Sequence, residues 1–503
     1  MMLDKFKQKL TGQGKQSGNK NGSSNGALSF DLLYQLSYMS VIASAGVPRR
    51  QIFERSAELP CASAEYFKKI ELMYTRLRYD YAKACRLVGE SAREDEIRGL
   101  LLRFSSSLLS GEPEADFLAR EAEAQAEAYD NGYGRKLETL KMWTDAYVSL
   151  SLSAVLVVII GIVSTMVWKI ETTFILGLVM VSIMTTAVGV WLIYLMSPRE
   201  IMIVRGAGSK EQRLTRRMFR MILPIVVAVC AILMVRGANF GWLLIAAAAL
   251  LFPVGWISNQ DDKKVTRRDA EVGPFLGSLG GVCAAIGTTV KEALGRIDLD
   301  AIDFLKREVK RLHTRLLAGI RTKFCWQKFI EETGSELANR SVGMFYDAID
   351  LGGEPQQAGY HASLFASKIA MLRAKRKTVS SPFRWLCIAM HASLVVLLIF
   401  ITEVMSIFGE MLYEATQNMP AVSGSAAVTS FTSFNFAGLE LMRSMLLPLV
   451  FVFTFSDAIA PSIADGGSRY KILYNLGITA VITGASLLTL PTLAEILFRS
   501  AQL

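Results

Sequence analysis

Two clusters of basic side chains and two isolated carboxylates are the residues whose type and spacing could do chemistry. Arg205, Lys210, Arg213, Arg216 and Arg217 crowd one polar stretch, and Arg373, Lys375, Arg376 and Lys377 crowd another. Such groups act through charge. They steer towards and pair with an acidic face on a partner protein, or they meet anionic lipid headgroups and fix the orientation of neighbouring apolar segments. A further run, Lys306, Arg307, Lys310, Arg311 and Arg315, has the spacing of a solvated helix face that could extend such a docking surface. Glu403 and Asp457 differ in kind, since each sits inside an apolar run. A carboxylate there is costly to bury and suggests a function. Two roles fit the pair. They could line the interior of a helix bundle and orient a partner helix with a positively charged N-terminus. Alternatively, Glu403 lies near an interface and Asp457 faces another helix or a polar pocket.

Covalent, nucleotide and metal chemistry find no motif. No GxxxxGK[ST] occurs, and Gly206-Ala207-Gly208 is too short to cradle phosphates. There is no HExxH, no metal-spaced Cys/His set and no nucleophile motif. His313, His361 and His391 are isolated and read as packing or surface residues. The six cysteines contain no CxxC pair and read as small packing residues. The expectation is a non-enzymatic chain with no catalytic residue, cofactor or metal.

These residues must be positioned by a large amount of apolar sequence. The chain has 503 residues, 51% of them hydrophobic. The excess is gathered into about seven runs, at 143–168, 172–196, 218–235, 239–257, 385–407, 445–464 and 472–497. Each is near the ~20 residues that cross a ~30 Å hydrocarbon core as a helix. Soluble helices are rarely apolar on every face over such lengths. The expected fold class is therefore all-α: a polytopic membrane protein with about seven transmembrane helices and, as argued below, two duplicated cytoplasmic helical bundles. The run at 218–235 is the shortest, and with 239–257 it would alternatively form a re-entrant pair.

Charge orients the spans. Residues 197–220 carry Arg199, Arg205, Lys210, Arg213, Arg216, Arg217 and Arg220 against Glu200 and Glu211, whereas 409–442 carry no Lys or Arg but have Glu410, Glu414 and Glu440. The positive-inside rule makes the first loop cytoplasmic and the second external. In the cell membrane this puts the N-terminus and both polar blocks in the cytoplasm and the C-terminus outside. No cleavable signal is visible, so the span beginning at 143 is expected to act as the insertion signal. The net charge of +10 comes from residues beside the apolar runs, which points to membrane lipids rather than to nucleic acid.

The chain then divides into a disordered basic tail, 1–28; a helical bundle, 29–142; four transmembrane helices, 143–260; a second bundle, 261–384; and three transmembrane helices, 385–503, with the external loop at 409–442. The tail is rich in Gly, Ser, Asn, Gln and Lys and cannot bury enough apolar surface to fold. In the first bundle Leu32, Leu33, Leu36, Met39 and Ile42 form a helical stripe that breaks at Ala45-Gly46-Val47-Pro48. A long helix is expected over 64–88. In the second, a short helix over 274–285 breaks at Gly287-Thr288-Thr289. Helices over 301–317 and 332–351 follow, and Gly352-Gly353-Glu354-Pro355 precedes a helix running to Trp385. Gly-Glu-Pro stands at 111–113 and again at 353–355, and Trp143 and Trp385 open the following runs; both pairs are 242 residues apart. Gly46 to Gly111 is 65 residues and Gly287 to Gly353 is 66. One motif repeated at one offset, with matching breaks, is a duplication.

With Gly46, Gly111, Glu112, Gly287, Gly353 and Glu354 in these places, the chain resembles the type II secretion F superfamily of inner-membrane platform proteins. It is most similar to the branch of the archaellum, the archaeal type IV pilus and the tight-adherence pilus, with two modules in one chain. The resemblance covers about 30–497, and the second Gly break departs from it by lacking a proline. It implies a membrane assembly platform of a type IV pilus-like or archaellum-like filament or secretion system. Such a platform couples a cytoplasmic hexameric secretion ATPase to insertion or extraction of pilin-like subunits. The basic clusters would then dock the ATPase, and Glu403 and Asp457 would orient a pilin-like helix. The resemblance also admits a homodimer, which no residue here shows. A secondary transporter, the rival reading, would repeat within the membrane and break its helices at mid-depth. A receptor would need a ligand domain larger than 409–442.

Overall fold

Three very long helices set the architecture. A computed structural model describes residues 21–167, 171–204, 206, 208–418 and 436–500. Arg205, most of the expected basic tail and residues 419–435 of the expected external loop lie outside the described residues. The first block is α1 (Asn21–Ser44), α2 (Arg49–Ala57), α3 (Ala64–Leu77), α4 (Tyr81–Ser91) and α5 (Asp95–Ser110), followed by α6 (Glu114–Val167). Then come α7 (Thr172–Met196), α8 (Lys210–Val235) and α9 (Phe240–Ile286). The second block is α10 (Val290–Ala293), a 3-10 turn (Leu299–Ala301), α11 (Lys306–Leu317), α12 (Thr322–Thr333) and α13 (Glu336–Asp350), followed by α14 (Pro355–Asn418). The chain closes with α15 (Phe436–Asp465), a 3-10 turn (Arg469–Lys471) and α16 (Ile472–Ser500). Among the described residues the β-structure is limited to an isolated bridge between Ile203 and Ser335. The fold is all-α and multi-pass: α6, α7, α8, α9, α14, α15 and α16 are long and apolar enough to cross a membrane.

α6 has 54 residues and α14 has 64, and at 1.5 Å per residue they are about 80 and 95 Å long. Each therefore runs without interruption from a polar bundle into an apolar span. α9 does the same in the opposite direction, as one 47-residue helix. The separate helix expected to open near Pro274 is instead the end of α9, with Pro253 and Pro274 inside it. Proline removes one backbone bond and costs about 3 kcal/mol in a helix interior, but tertiary packing holds α9 together. Gly280 and Gly359 bring α9 and α14 into backbone contact. Two other expected helices are broken. Arg78 (φ 56°) splits 64–88 into α3 and α4, with the Asp80 side chain accepting from the Ala82 N–H to start α4. Gly334 (φ 69°) ends α12 before α13 begins.

The repeat is visible in backbone conformation, with a correction of register. Helices stop on left-handed glycines at Gly46 (φ 82°), Gly111 (φ 75°), Gly287 (φ 63°) and Gly352 (φ 83°), where the missing Cβ avoids the usual penalty. Gly352, not Gly353, is thus the counterpart of Gly111, and both glycine pairs are 241 residues apart. Gly353 is glycine for another reason. A Cβ there would overlap the Ala45 side chain and lie 2.8 Å from the Ala348 carbonyl oxygen. The Glu354 N–H donates to the Ala45 carbonyl at 3.2 Å. The turn of the second block is seated on the turn of the first.

The two blocks share one continuous core, from Met39, Phe53, Phe67 and Phe104 to Phe275, Phe329 and Phe345. Polar ties cross it: the Tyr38 hydroxyl donates to Asp347 Oδ2 at 2.9 Å, and the Arg340 guanidinium lies 4.5 Å from the Tyr34 ring centroid and 3.5 Å from Asp31. Burial pushes the Asp347 carboxyl above the usual carboxylate range. A second core lies within the apolar spans, where Val155 and Val158 of α6, Ile175 and Val179 of α7, Val395 and Leu398 of α14 and Leu449 and Phe453 of α15 interdigitate. α9 and α16 approach through Gly241 and Gly484, the small-residue packing by which membrane helices associate. α8 leans on α9 with only 6% of its apolar window buried.

Gly353→Ala is expected to lower stability by about 1–3 kcal/mol through overpacking. Gly281→Ala, with open space around the new methyl, is expected to be neutral or stabilising by up to about 1 kcal/mol. Thermal unfolding of the two variants in detergent checks this.

Candidate functional site

The charged segment of α14 is the centre of a buried network at the edge of the membrane. Arg373, Arg376 and Lys377 are spaced i, i+3, i+4 and so share one helix face. That face turns inwards. Arg373 donates to Glu200 Oε1 at 2.6 Å and Asp269 Oδ2 at 2.5 Å. Arg376 donates to the carbonyls of Ala464 and Pro198, both at 2.9 Å, and to Ser197 Oγ at 2.7 Å. Lys377 reaches Asp262 at 3.2 Å and Thr266 Oγ1 at 2.6 Å. Lys471, from the turn between α15 and α16, donates to Asp262 Oδ2 at 2.8 Å and pairs with Asp465, whose other oxygen accepts from Ser380 at 2.9 Å. Four cations, Arg373, Arg376, Lys377 and Lys471, are thus balanced by four carboxylates, Glu200, Asp262, Asp269 and Asp465.

The network joins four separate pieces of chain: the segment 197–204, α9, α14 and the α15–α16 turn. It extends into the second bundle, where Ser335 Oγ donates to Asp269 and Arg268 pairs with Glu308 at 2.8 Å. Burial raises the Glu308 carboxyl above its usual range, against the pull of Arg268. An Ile203–Ser335 bridge and a bond from the Glu336 N–H to the Met202 carbonyl fasten the same segment to the start of α13.

This geometry corrects part of the docking expectation. Arg373 and Arg376 are 4% and 2% exposed and so offer no surface to a partner, while Lys377 is half-buried and engaged with Asp262 and Thr266. Lys375 is exposed and pairs with Asp130 on α6 at 3.1 Å, beside Lys368 at 2.6 Å. Lys210, Arg213, Arg216 and Arg217 form an exposed basic face at the start of α8, and Arg216 also donates to the Gly206 carbonyl at 2.7 Å. A capping box fixes that start: Ser209 Oγ accepts from the Gln212 N–H, and the Gln212 side chain accepts from the Ser209 N–H. Arg311 and Arg315 turn to Glu332, and Lys306 to Asp300, leaving Arg307 and Lys310 exposed. At the repeat turns, Arg120 and the Ser107 hydroxyl hold the Glu112 carboxyl below its usual range.

The intramembrane carboxylates are also paired. Asp457 is 2% exposed and accepts from the Tyr147 hydroxyl at 2.6 Å and, through its other oxygen, meets His391 Nδ1 at 2.8 Å. His391 Nε2 lies 3.0 Å from Thr483 Oγ1, which lies 2.8 Å from Thr454 Oγ1. Four helices, α6, α14, α15 and α16, converge on this chain of polar groups, about 10 Å inside the end of its apolar run. Asp457 therefore has no free oxygen with which to orient a partner helix. His391 is part of this network rather than an isolated packing residue; its place within an apolar run was the sequence signal, since intramembrane polar groups pair with one another. Glu403 pairs with Arg443 at 3.4 Å near the far end of the apolar run of α14. Glu200, Asp262, Asp269, Asp465 and Lys471 carried no motif, and most of their partners lie too far away in sequence to be read from spacing.

The chain is similar to two proteins named flagella accessory protein J. It is 23% identical to that of Methanococcus voltae over 338 residues, 62% of this chain and 58% of the relative. It is 22% identical to that of Methanocaldococcus jannaschii over 449 residues, 84% of this chain and 77% of the relative. The chain thus matches little more than half the length of the first of these. No family model matches the sequence, and no solved structure matches it.

Arg373→Met leaves Glu200 and Asp269 buried beside no cation and is expected to cost about 3–5 kcal/mol. Lys375→Ala removes an exposed pair and should cost less than about 1 kcal/mol. Unfolding temperatures in detergent, compared with the parent chain, measure both.

Proposed function

We propose that this chain is the membrane assembly platform of an archaellum-like or type IV pilus-like filament system, set in the cell membrane with both bundles in the cytoplasm. The observation that carries the reading is the similarity, over 449 residues, to a protein named flagella accessory protein J. The continuous helices support a mechanical role. A cytoplasmic hexameric ATPase moves the bundles, and α6, α9 and α14 pass that movement to the spans without a flexible joint. Pilin-like subunits are inserted or extracted there. The chain is an adaptor and holds no catalytic group of its own. The basic face of Lys210, Arg213 and Arg217 is the ATPase contact, because these cations are exposed, whereas Arg373 and Arg376 of α14 are buried and engaged internally. The same face explains the orientation by the positive-inside rule.

Detergent extracts of the tagged full chain should retain the ATPase. The double reversal Arg213→Glu and Arg217→Glu should lower retention about tenfold without changing the unfolding temperature. Unchanged retention would remove the basic face from the contact, and no retention by the parent chain would remove the ATPase from the proposal.

A further inference from the structure

The buried carboxylates at the membrane edge have cations, with one exception. Asp261 follows the apolar run of α9 and is 2% exposed. It accepts from Ser209 Oγ at 2.8 Å, and no Lys, Arg or His among the described residues forms an ion pair with it. Its neighbour one turn earlier, Ser258, is equally buried, and its hydroxyl has no hydrogen-bond partner. Both line a cleft of about 400 Å³ walled by the 200–204 segment, the first turns of α8, α9 and residues 467–470. Arg216 and Arg469, both exposed, line the same cleft. The cleft thus has an acidic, hydroxyl-bearing floor and guanidiniums open to solvent.

Its depth in the molecule is informative. α8 turns from basic to apolar after Arg220, and α9 turns from apolar to polar at Ser258. Aromatic rings gather at this level: Phe219 and Tyr470 have centroids 5.2 Å apart, and Phe252, Trp256 and Tyr474 lie within about 6 Å of one another. Such rings mark the headgroup layer. A ligand that presents an ammonium to the floor and a phosphate to the rim suits these groups together: the carboxylate gains a cation, the unpartnered hydroxyl an N–H, and the arginines an anion.

We propose that this cleft is a binding site for a phospholipid headgroup bearing a primary ammonium, of the phosphoethanolamine type, taken from the leaflet on the side of the bundles. Asp261 and Ser258 receive the ammonium, and Arg216 and Arg469 hold the phosphate. The bound lipid would pin the start of α8 to the α15–α16 turn. This site is independent of the filament reading and needs only that the chain lie in a bilayer.

The test is native mass spectrometry of the purified full chain in detergent, titrated with short-chain phosphatidylethanolamine, phosphatidylglycerol and phosphatidylcholine. O-phosphoethanolamine and inorganic phosphate are run as soluble probes. The parent chain should take up phosphatidylethanolamine about tenfold more tightly than the other two lipids, since glycerol offers no cation and trimethylammonium no N–H. Asp261→Asn should abolish that preference, Ser258→Ala should weaken it several-fold, and Arg216→Gln should weaken all three lipids alike. Equal binding of the three lipids by the parent chain overturns the proposal even if a variant fails to fold. A preference that survives Asp261→Asn overturns it too. Equally tight binding of O-phosphoethanolamine overturns the lipid as its source and leaves a soluble phosphoamine. Protection of Asp261 from carbodiimide labelling only when a protein partner is added would assign the cleft to a partner lysine instead.

Discussion

Four cations set against four buried carboxylates, where the bundles meet the membrane, constrain everything around them; Arg373, Arg376 and Lys471 are themselves buried and Lys377 is half-buried. Taking an ion out of water costs several kcal/mol, recovered only when partners are held in good geometry. Arg373 satisfies two carboxylates from different elements, Asp262 receives two lysines, and Arg376 is wrapped by carbonyls. An apolar contact could slide by a fraction of a turn at small cost. This network cannot, because any shift strands a charge. It fixes the relative positions of the 197–204 segment, α9, α14 and the α15–α16 turn.

The long helices gain their meaning from that constraint. α14 alone would be a rod about 95 Å long, free to tilt. Locked to α9 and to the α15–α16 turn at the membrane edge, and seated on Ala45 through Gly353 at its other end, it joins both bundles to the spans as one body. The intramembrane cluster of Tyr147, His391, Asp457 and Thr483 repeats the device about 10 Å further in. The proposed platform needs such a body, since movement imposed on a bundle is useful only if it reaches the lipid.

Much of this was legible in the sequence, and the limits have physical causes. Apolar runs of span length reveal themselves by composition, and the left-handed turns at Gly46, Gly111 and Gly287 by their glycines. The choice of Gly352 over Gly353 did not, because both are glycine and only contact with Ala45 separates them. The break at Arg78 carries no Gly or Pro, and Pro274 looks like a helix start until packing against α14 is known. Arg373 and Arg376 looked like surface charge because their partners lie far away in sequence, at Glu200, Asp269, Pro198 and Ala464. Lys210, Arg213, Arg216 and Arg217 were readable as exposed cations, having no comparable set of acids to absorb them.

The measurement that bears most directly on the account is filament counting in cells whose chain carries a flexible Gly-Ser-Gly-Ser insertion in α14 after Pro382, between the buried network and the span. The proposal predicts a chain present at normal level in the membrane, still able to retain the proposed ATPase, in cells without filaments, because the rigid path to the lipid is cut. Normal filament numbers with that insertion would contradict it.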